Sequence, residues 1–453
     1  MRILPVLLLS FCIPFMSGCS EGLKSHYQAP QINWPAHWQE ETSESKATPF
    51  AWRDFHDPQL DRWLRQVMVH NNDLALAVLR VYRAQLDARQ ADISTAPDVS
   101  ATLQSGTNTA LGYASPWSRS SGGSLSVSYE TDLWGKLAGQ RDAAEWARRA
   151  SVEDLRSARL TLMVEASNNY WQTGFTRQKI TILQQSMAYT RKTLQLTRAR
   201  YQAGSIPALD VVNAEQSLVM QQNSLLALQH ELRQLLHQQA VLLGTAPGDV
   251  IAEPTELSTQ PLPRINTGIP ASVLRHRPDM RAKEMRLREA LATADQQRAR
   301  YYPALSLTGA LGSSSTALLE FLRNPVGSLG ASLSLPFLQW RQMSTDIKIS
   351  RNDYAQRELE FKDVLYKAMA EVEDALSLRM QLMAQEVNLK EVLSLARESE
   401  RMNEVRYRQG AVSVIFWLDA QEKRRQAELE LVSNRLSQYQ NLAKIYLALG
   451  GAS

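Results

Sequence analysis

Apolar and small polar residues alternate strictly in four short runs of this chain. Val99, Ala101 and Leu103 alternate with Ser100 and Thr102, and the pattern returns three times further along. It predicts strands at about 98–108, 123–133, 304–314 and 328–338. Runs of about ten residues with one apolar face are typical of transmembrane strands, and a soluble hairpin with one buried face has the same local pattern.

The context of these runs favours the membrane alternative. A loop rich in Gly and Ser joins each pair of strands, and Trp134 and Trp340 follow the hairpins, where an interfacial aromatic belt is expected. Four strands are too few to close a barrel, which needs at least about eight. The sequence therefore predicts that a membrane barrel forms only by oligomerisation.

Helical periodicity dominates the rest of the chain. No Gly or Pro occurs between Trp340 and Gly410, so a single helix of about 100 Å is predicted there. Its apolar residues keep a coiled-coil spacing that only Arg379 and Glu386 interrupt. The seam consists of Phe361, Leu365, Ala368, Val372, Ala375, Leu382, Leu389, Leu393 and Ala396. A matching segment at 139–203 is interrupted only by Gly174, and shorter returning helices follow Gly204 and Gly410.

The two halves of the chain repeat each other at a constant step of 206 residues. His70 maps onto His276, and the triplet Arg200, Tyr201, Gly204 maps onto Arg406, Tyr407, Gly410. A fixed step without gaps indicates a duplicated unit, and its length exceeds the period of a solenoid. Each half is predicted to be a helix, a hairpin, a very long helix, a tight turn and a returning helix.

The N-terminus predicts export and lipidation. Arg2 precedes an apolar stretch that is too short to span a bilayer, and Ser17-Gly18-Cys19 resembles the lipobox of bacterial lipoproteins. We expect S-diacylglycerol and N-palmitoyl groups on Cys19, and two or more acyl chains anchor a protein stably. Ser20 follows instead of the Asp that usually retains lipoproteins in the inner membrane. An ordinary secretory signal is the alternative.

Composition excludes several other classes of function. A net charge of +4 with 21% charged residues is too balanced for a nucleic-acid protein. Nucleotide-loop, nucleophile-elbow and zinc-protease motifs do not occur, so an enzyme is not expected. His230 and His237 lie seven residues apart without a third ligand nearby, which favours two surface histidines over a metal site. No cofactor other than the lipid is expected.

These patterns divide the chain into segments. They are a signal peptide at 1–18, a lipidated N-terminal arm at 19–55, a first repeat at 56–244, a Pro-rich connector at 245–271 and a second repeat at 272–450.

The lipobox, the duplication, the hairpins and the Arg-Tyr-x-x-Gly turns together resemble the TolC-like outer membrane factors, in their lipoprotein NodT/OprM-type branch. Three further motifs match: His276 to Ala282, Tyr302 to Leu307 and Leu133 to Lys136. The resemblance implies a mainly helical protein with a membrane β-barrel: a homotrimer with one twelve-stranded barrel in the outer membrane and a long periplasmic α-helical barrel. It also implies an exit duct for small toxic compounds such as drugs. The partners would be a periplasmic adaptor (a membrane fusion protein), an inner-membrane RND or ABC transporter and outer-membrane lipid.

The resemblance places the functional residues at the two turns. The adaptor-docking tip would consist of Arg200, Tyr201, Gly204, Ser205, Ile206, Arg406, Tyr407, Gly410, Ala411, Val412 and Ser413. The aperture gate would consist of Asp210, Phe416 and Asp419, with a helix-packing role as the alternative for Phe416 and Trp417. Arg200 and Arg406 are expected to pair with the gate acids.

Two other functions fit the same sequence. A duct of this kind serves equally as the exit for an ABC-type efflux system or for type I protein secretion, because the pump selects the cargo. A non-conducting coiled-coil lipoprotein that spaces the envelope would explain the helices and the anchor. It would not explain the two alternating hairpins.

Overall fold

A computed structural model gives the fold of the protein. It describes residues 23–30, 32, 52–109, 116–248, 254, 256–258, 260–263, 271–315 and 325–451. Cys19, the signal peptide and most of the connector lie outside these residues. The chain divides into two compact units, and Met1–Ile32, Leu79–Glu153 and Arg281–Val364 form the first of them.

The described residues contain seven α-helices and four strands, in the order that the duplication predicts. The first half contains α1 (Pro58–His70), α2 (Asn72–Ile93), β1 (Asp98–Asn108), β2 (Ser118–Thr131), α3 (Lys136–Gln202) and α4 (Ala208–Leu242). The second contains α5 (Pro278–Ala299), β3 (Ala304–Ser315), β4 (Pro325–Ser334), α6 (Trp340–Arg408) and α7 (Val414–Ala448). Short 3₁₀ turns occupy Trp52–Phe55, Ala271–His276 and Pro336–Leu338.

The first unit contains an antiparallel sheet with strand order β1-β2-β3-β4. The register pairs Val99 with Val127 and Leu125 with Leu311, so the apolar positions of all four strands share one face. Apolar side chains on that face are exposed in the protomer, with 84% for Leu103, 65% for Leu311 and 95% for Leu329. Within the described residues, β1 and β4 each pair on one side only.

Two strands differ from their predicted bounds. β2 begins at Ser118 rather than near 123, because Ser118–Gly122 continue to pair with β1 and were wrongly assigned to the loop. β4 runs from Pro325 to Ser334 rather than from 328 to 338. It ends before Pro336, which has no N–H for a ladder bond and begins a 3₁₀ turn.

Part of the N-terminal arm packs on the first unit. Lys24 forms an ion pair of 2.6 Å with Asp142, and the Ser25 hydroxyl donates to Asp295 at 2.6 Å. The guanidinium of Arg288 stacks 4.2 Å from the Tyr27 ring centroid. Burial, followed by the charge of Glu284, raises the pKa of Tyr27 to about 12, so the phenol stays neutral at physiological pH.

The second unit contains the aromatic core and most of the long helices. Trp52, Phe55, Trp171 and Tyr439 pack together in stacked and tilted pairs, with neighbouring ring centroids 5.0 to 6.4 Å apart. The predicted seam of α6 is buried from Phe361 to Leu393. No helix in the described part of the chain is both long enough and apolar enough to cross a membrane.

The duplication is visible in matching hydrogen bonds. Asn71 donates to the Leu242 carbonyl at 3.0 Å, and Arg277, its counterpart at the 206-residue step, donates to the Ala448 carbonyl at 3.0 Å. Each bond satisfies a carbonyl at the end of a returning helix. Asn71 also separates α1 from α2, where the sequence predicted a continuous helix, because its backbone is extended and its carboxamide caps Leu74.

Candidate functional site

Two turns with the same backbone hydrogen bonds connect the long helices to the returning ones. Gly204 and Gly410 have φ of 71° and 77°, a region that favours glycine. Gly204 N–H donates to Tyr201 O and Ser205 N–H to Arg200 O, both at 2.9 Å. Gly410 and Ala411 make the same pair of bonds in the second turn, at 3.0 and 2.9 Å. Both long helices therefore end in a Schellman motif.

The two turns differ in how they bury their tyrosine. Tyr407 is fully buried, while its counterpart Tyr201 is 48% exposed. The Tyr407 hydroxyl lies 3.1 Å from the Thr197 hydroxyl, and its ring centroid lies 5.5 Å from that of Trp417. Tyr407 and Trp417 form a small core with Leu194 and Val414. The second turn is thus packed against α3 and α4 of the first repeat, and the equivalence of the repeats ends here.

Among the residues that the structure describes, Arg200 pairs with no acid, contrary to the prediction. Its Nη1 donates to the Tyr407 carbonyl at 2.6 Å, and its guanidinium lies 4.9 Å from the centroid of the Tyr407 ring. The C-terminal carbonyls of a helix attract a cation, and the aromatic face adds to that attraction. Arg406 is exposed and has no ion pair within the residues that the structure describes.

Asp210 is buried rather than presented to solvent. It is 4% exposed, and its Oδ1 accepts a hydrogen bond of 2.7 Å from the Ser413 hydroxyl. Ser413 is also the N-cap of α7, where its oxygen accepts from Ile415 N–H at 3.4 Å. In this arrangement the Asp210 carboxylate joins the two turns instead of facing an aperture. The sequence could not show this, because the partner is 203 residues away.

The other two gate candidates are exposed. Phe416 is 56% exposed, whereas Trp417 beside it is 6% exposed and packs in the core of the turns. The Asp419 side chain is 57% exposed and forms an ion pair of 2.8 Å with Lys423. The alternative of a helix-packing role therefore fits Trp417, which is buried, but does not fit Phe416, which is exposed.

The remaining tip residues lie at the surface of the turns. Ser205 and Ala411 are exposed, and Ile206 and Val412 are partly buried. Val412 packs against the core around Tyr407. Small exposed residues beside a glycine leave the backbone accessible to a partner.

Sequence reasoning missed a set of buried threonines. Thr190, Thr193 and Thr197 are no more than 1% exposed, and they follow one another at helical spacing on α3. Thr193 accepts from Gln421 of α7 at 3.3 Å, and Thr190 accepts from Gln221 of α4 at 3.0 Å. Their 3–4 spacing was visible in the sequence, but a polar stripe normally predicts a solvated face. Among the described residues, no group of three His, Cys, Asp or Glu side chains is arranged to hold a metal.

The fold combines a sheet with one exposed apolar face, long paired helices and closely packed helix turns. The chain belongs to the outer membrane efflux protein family, whose model matches residues 63–245 and 269–451. It is 28% identical to the antibiotic efflux pump outer membrane protein ArpC of Pseudomonas putida, over 96% of this chain and 93% of that protein. It is 26% identical to toxin and drug export protein A of Aggregatibacter actinomycetemcomitans, over 96% and 95%. Its fold matches the Campylobacter jejuni CmeC outer membrane channel, with a TM-score of 0.86, 20% identity and coverage of 95% and 94%.

Proposed function

We propose that the protein is the outer-membrane exit duct of a tripartite efflux pump. Three copies would each contribute four strands to one twelve-stranded barrel, and the helices would extend into the periplasm. The observation that carries this proposal is the sheet: its apolar face is exposed, and in the part of the chain that the structure describes both β1 and β4 have an unpaired edge. These edge strands of eleven and ten residues present unpaired backbone N–H and C=O groups. Pairing with a strand of another copy would satisfy these groups.

In this function, the duct conducts passively and performs no covalent chemistry. An inner-membrane RND transporter would supply small toxic compounds such as drugs through a periplasmic adaptor that docks on the two turns. The family membership and the relative named as an antibiotic efflux protein support this assignment. A second cargo class, protein export through an ABC transporter, is favoured by the relative named for toxin export.

Cross-linking from the turns tests the proposal. Ser205→Cys or Ala411→Cys, treated with a short cross-linker in cells, is expected to capture a periplasmic adaptor that mass spectrometry identifies. The type of adaptor separates an RND from an ABC partner. The control is Arg351→Cys. Arg351 is exposed and lies on α6, the helix that precedes the turn with Ala411, but it belongs to the first unit. Links only between protomers would contradict docking at the turns.

Oligomerisation has its own test. An assembled duct is expected to migrate on a mildly denaturing gel of the outer-membrane fraction as a heat-sensitive trimer. A band at the size of the protomer before heating would contradict the shared barrel and favour a non-conducting lipoprotein that spaces the envelope.

We propose that Cys19 carries the lipid anchor of the mature chain. Lys24, five residues later, already contacts Asp142, so the anchor would be held close to the first unit. Cys19→Ser is expected to abolish labelling by radioactive palmitate, because the diacylglycerol is attached through the cysteine sulfur and the N-palmitoyl group is added only to that modified cysteine. Cys12→Ser, a change within the signal peptide, is the matched control. Continued labelling of Cys19→Ser would refute the lipid anchor.

We propose that Phe416 and Asp419 line the closed aperture. In a trimer each exposed residue becomes a ring of three, so Asp419 would attract cations and Phe416 would narrow the opening. The double change Phe416→Ala and Asp419→Ala is expected to raise the conductance of the purified protein in planar bilayers. Leu209→Ala with Glu215→Ala, an exposed and a partly buried residue of the first returning helix, is the control. Unchanged conductance would remove both residues from the gate.

A further inference from the structure

A cavity of about 400 Å³ lies between α6, α7 and two residues of the connector. Leu382, Val387 and Leu442 form its apolar wall with Leu262 and Pro263. Val387 is 66% exposed, so the cavity is accessible from the surface. It is large enough for an organic group of about ten heavy atoms, since ligand pockets begin near 300 Å³.

Three of the four charged residues around this cavity already have partners. Glu386 accepts from Gln438 at 2.8 Å and forms an ion pair of 2.6 Å with Lys390. Arg435 donates to the Gln260 carbonyl and lies 5.1 Å from the centroid of the Tyr439 ring. The one acid of the cavity is therefore engaged by groups other than Arg379.

Arg379 is the fourth charged residue, and it has no partner among the described residues. Its Nη1 is buried without a hydrogen bond, and burial lowers its pKa from the ordinary value. Arg379 as a whole is partly buried, and a partly buried cation without a counterion still bears a desolvation cost that a bound anion offsets. Arg379 occupies a position in the apolar seam of α6, where a hydrophobic side chain would be buried without this desolvation cost.

The first repeat has no cation at the position equivalent to Arg379. At the 206-residue step, Arg379 corresponds to Thr173, which is fully buried and accepts a hydrogen bond of 3.1 Å from Gln239. Equivalent positions of the paired helices meet in both repeats. Asn169 of α3 donates to Leu235 O of α4 at 3.3 Å, and Asn441 of α7 donates to Ala375 O of α6 at 2.9 Å. A hydrogen-bonded neutral threonine in one repeat thus corresponds, within the described residues, to a cation without a partner in the other.

We propose that this cavity binds a carboxylate attached to an apolar group, with Arg379 as the residue that holds the carboxylate. A guanidinium binds a carboxylate through two parallel hydrogen bonds, and the apolar wall accepts the attached group. The carboxylate comes either from a free amphiphilic acid or from an acidic side chain of a second copy of this chain. The site is independent of the pump partnership proposed above.

Equilibrium dialysis of the full-length protein in a non-ionic detergent tests the site. The probe is 2-naphthoate, and 2-naphthalenemethanol, which has the same rings without the charge, corrects for partition into detergent. We expect saturable binding of one naphthoate per protomer, weakened about tenfold or more by Arg379→Met, because a hydrogen bond to a charged group contributes roughly 1.5–3 kcal/mol. The matched control is Arg351→Met, since Arg351 is exposed on the same helix and away from the cavity.

The alternative source of the carboxylate gives a different result. If an acidic side chain of a second copy fills the cavity, naphthoate does not bind the wild-type oligomer, and Arg379→Met lowers the temperature at which the oligomer dissociates relative to Arg351→Met. Arg379→Lys, which keeps the charge, is then expected to restore part of that temperature. The inference is overturned if Arg379→Met matches Arg351→Met in both measurements.

Discussion

Removing the hydroxyl of Ser413 is expected to increase the open probability of the channel about tenfold in planar bilayers. Ser413 donates at 2.7 Å to a buried carboxylate, that of Asp210, and this bond joins the turn after α6 to the start of α4. A hydrogen bond to a charged group contributes about 1.5–3 kcal/mol, and 1.4 kcal/mol corresponds to a tenfold change in an equilibrium constant. Without the bond, the two turns separate more readily.

Two further variants isolate this bond. Ser413→Ala also removes the N-cap of α7, so Asp210→Ala, which leaves the cap intact, is expected to have the same effect on open probability. Ser205→Ala changes an exposed serine in the other turn and is expected to behave as the wild type. If Asp210→Ala and Ser205→Ala give equal open probabilities, the Ser413–Asp210 bond does not hold the turns closed.

Replacing Arg277 by methionine is expected to lower the free energy of unfolding by about 3 kcal/mol. The Arg277 side chain is 7% exposed and binds Asp279 at 2.7 Å, Glu371 at 2.9 Å and the Ala448 carbonyl at 3.0 Å. Burial lowers its pKa, but the hydrogen bonds to Asp279 and Glu371 outweigh burial and raise the pKa above the ordinary value. The cation therefore stays charged, and methionine fills its volume without any of these bonds.

Thermal unfolding followed by circular dichroism measures this loss. Arg401→Met is the matched control, because Arg401 and Glu398 form an exposed pair with 65% and 52% of their side chains accessible. Such a pair contributes no more than about 1 kcal/mol. Equal unfolding temperatures for the Arg277 and Arg401 variants would show that the buried ion pairs do not stabilise the second unit.

The duplicated architecture was predictable because its signals are local or periodic. Alternation of period two places Leu103 and Val127 on one face wherever the strands pair, and the register confirms this. The lack of Gly and Pro between Trp340 and Gly410 predicts a continuous helix, and α6 is one. The resemblance to outer-membrane efflux proteins rested on the order of such motifs, and the family match confirms it.

The sequence also predicted the sites of the two turns. An Arg-Tyr-x-x-Gly motif repeated at one step indicates the same helix end twice, and Gly204 and Gly410 both end a helix in a Schellman motif. It could not predict the partners of their neighbours. Arg200 binds a carbonyl instead of an acid, and Asp210 is buried beneath Ser413, because residues about 200 positions apart meet there.

By itself, the sequence determined the helices, the strands, the duplication and the family, since periodicity and backbone-restricting residues act within a few positions of the chain. Only the tertiary structure decided how equivalent residues diverge: Tyr407 is buried while Tyr201 is exposed, and Arg379 has no partner among the described residues where Thr173 is hydrogen-bonded. The burial and pairing of a side chain depend on which distant helix packs against it. Two copies of one motif therefore acquire different chemistry.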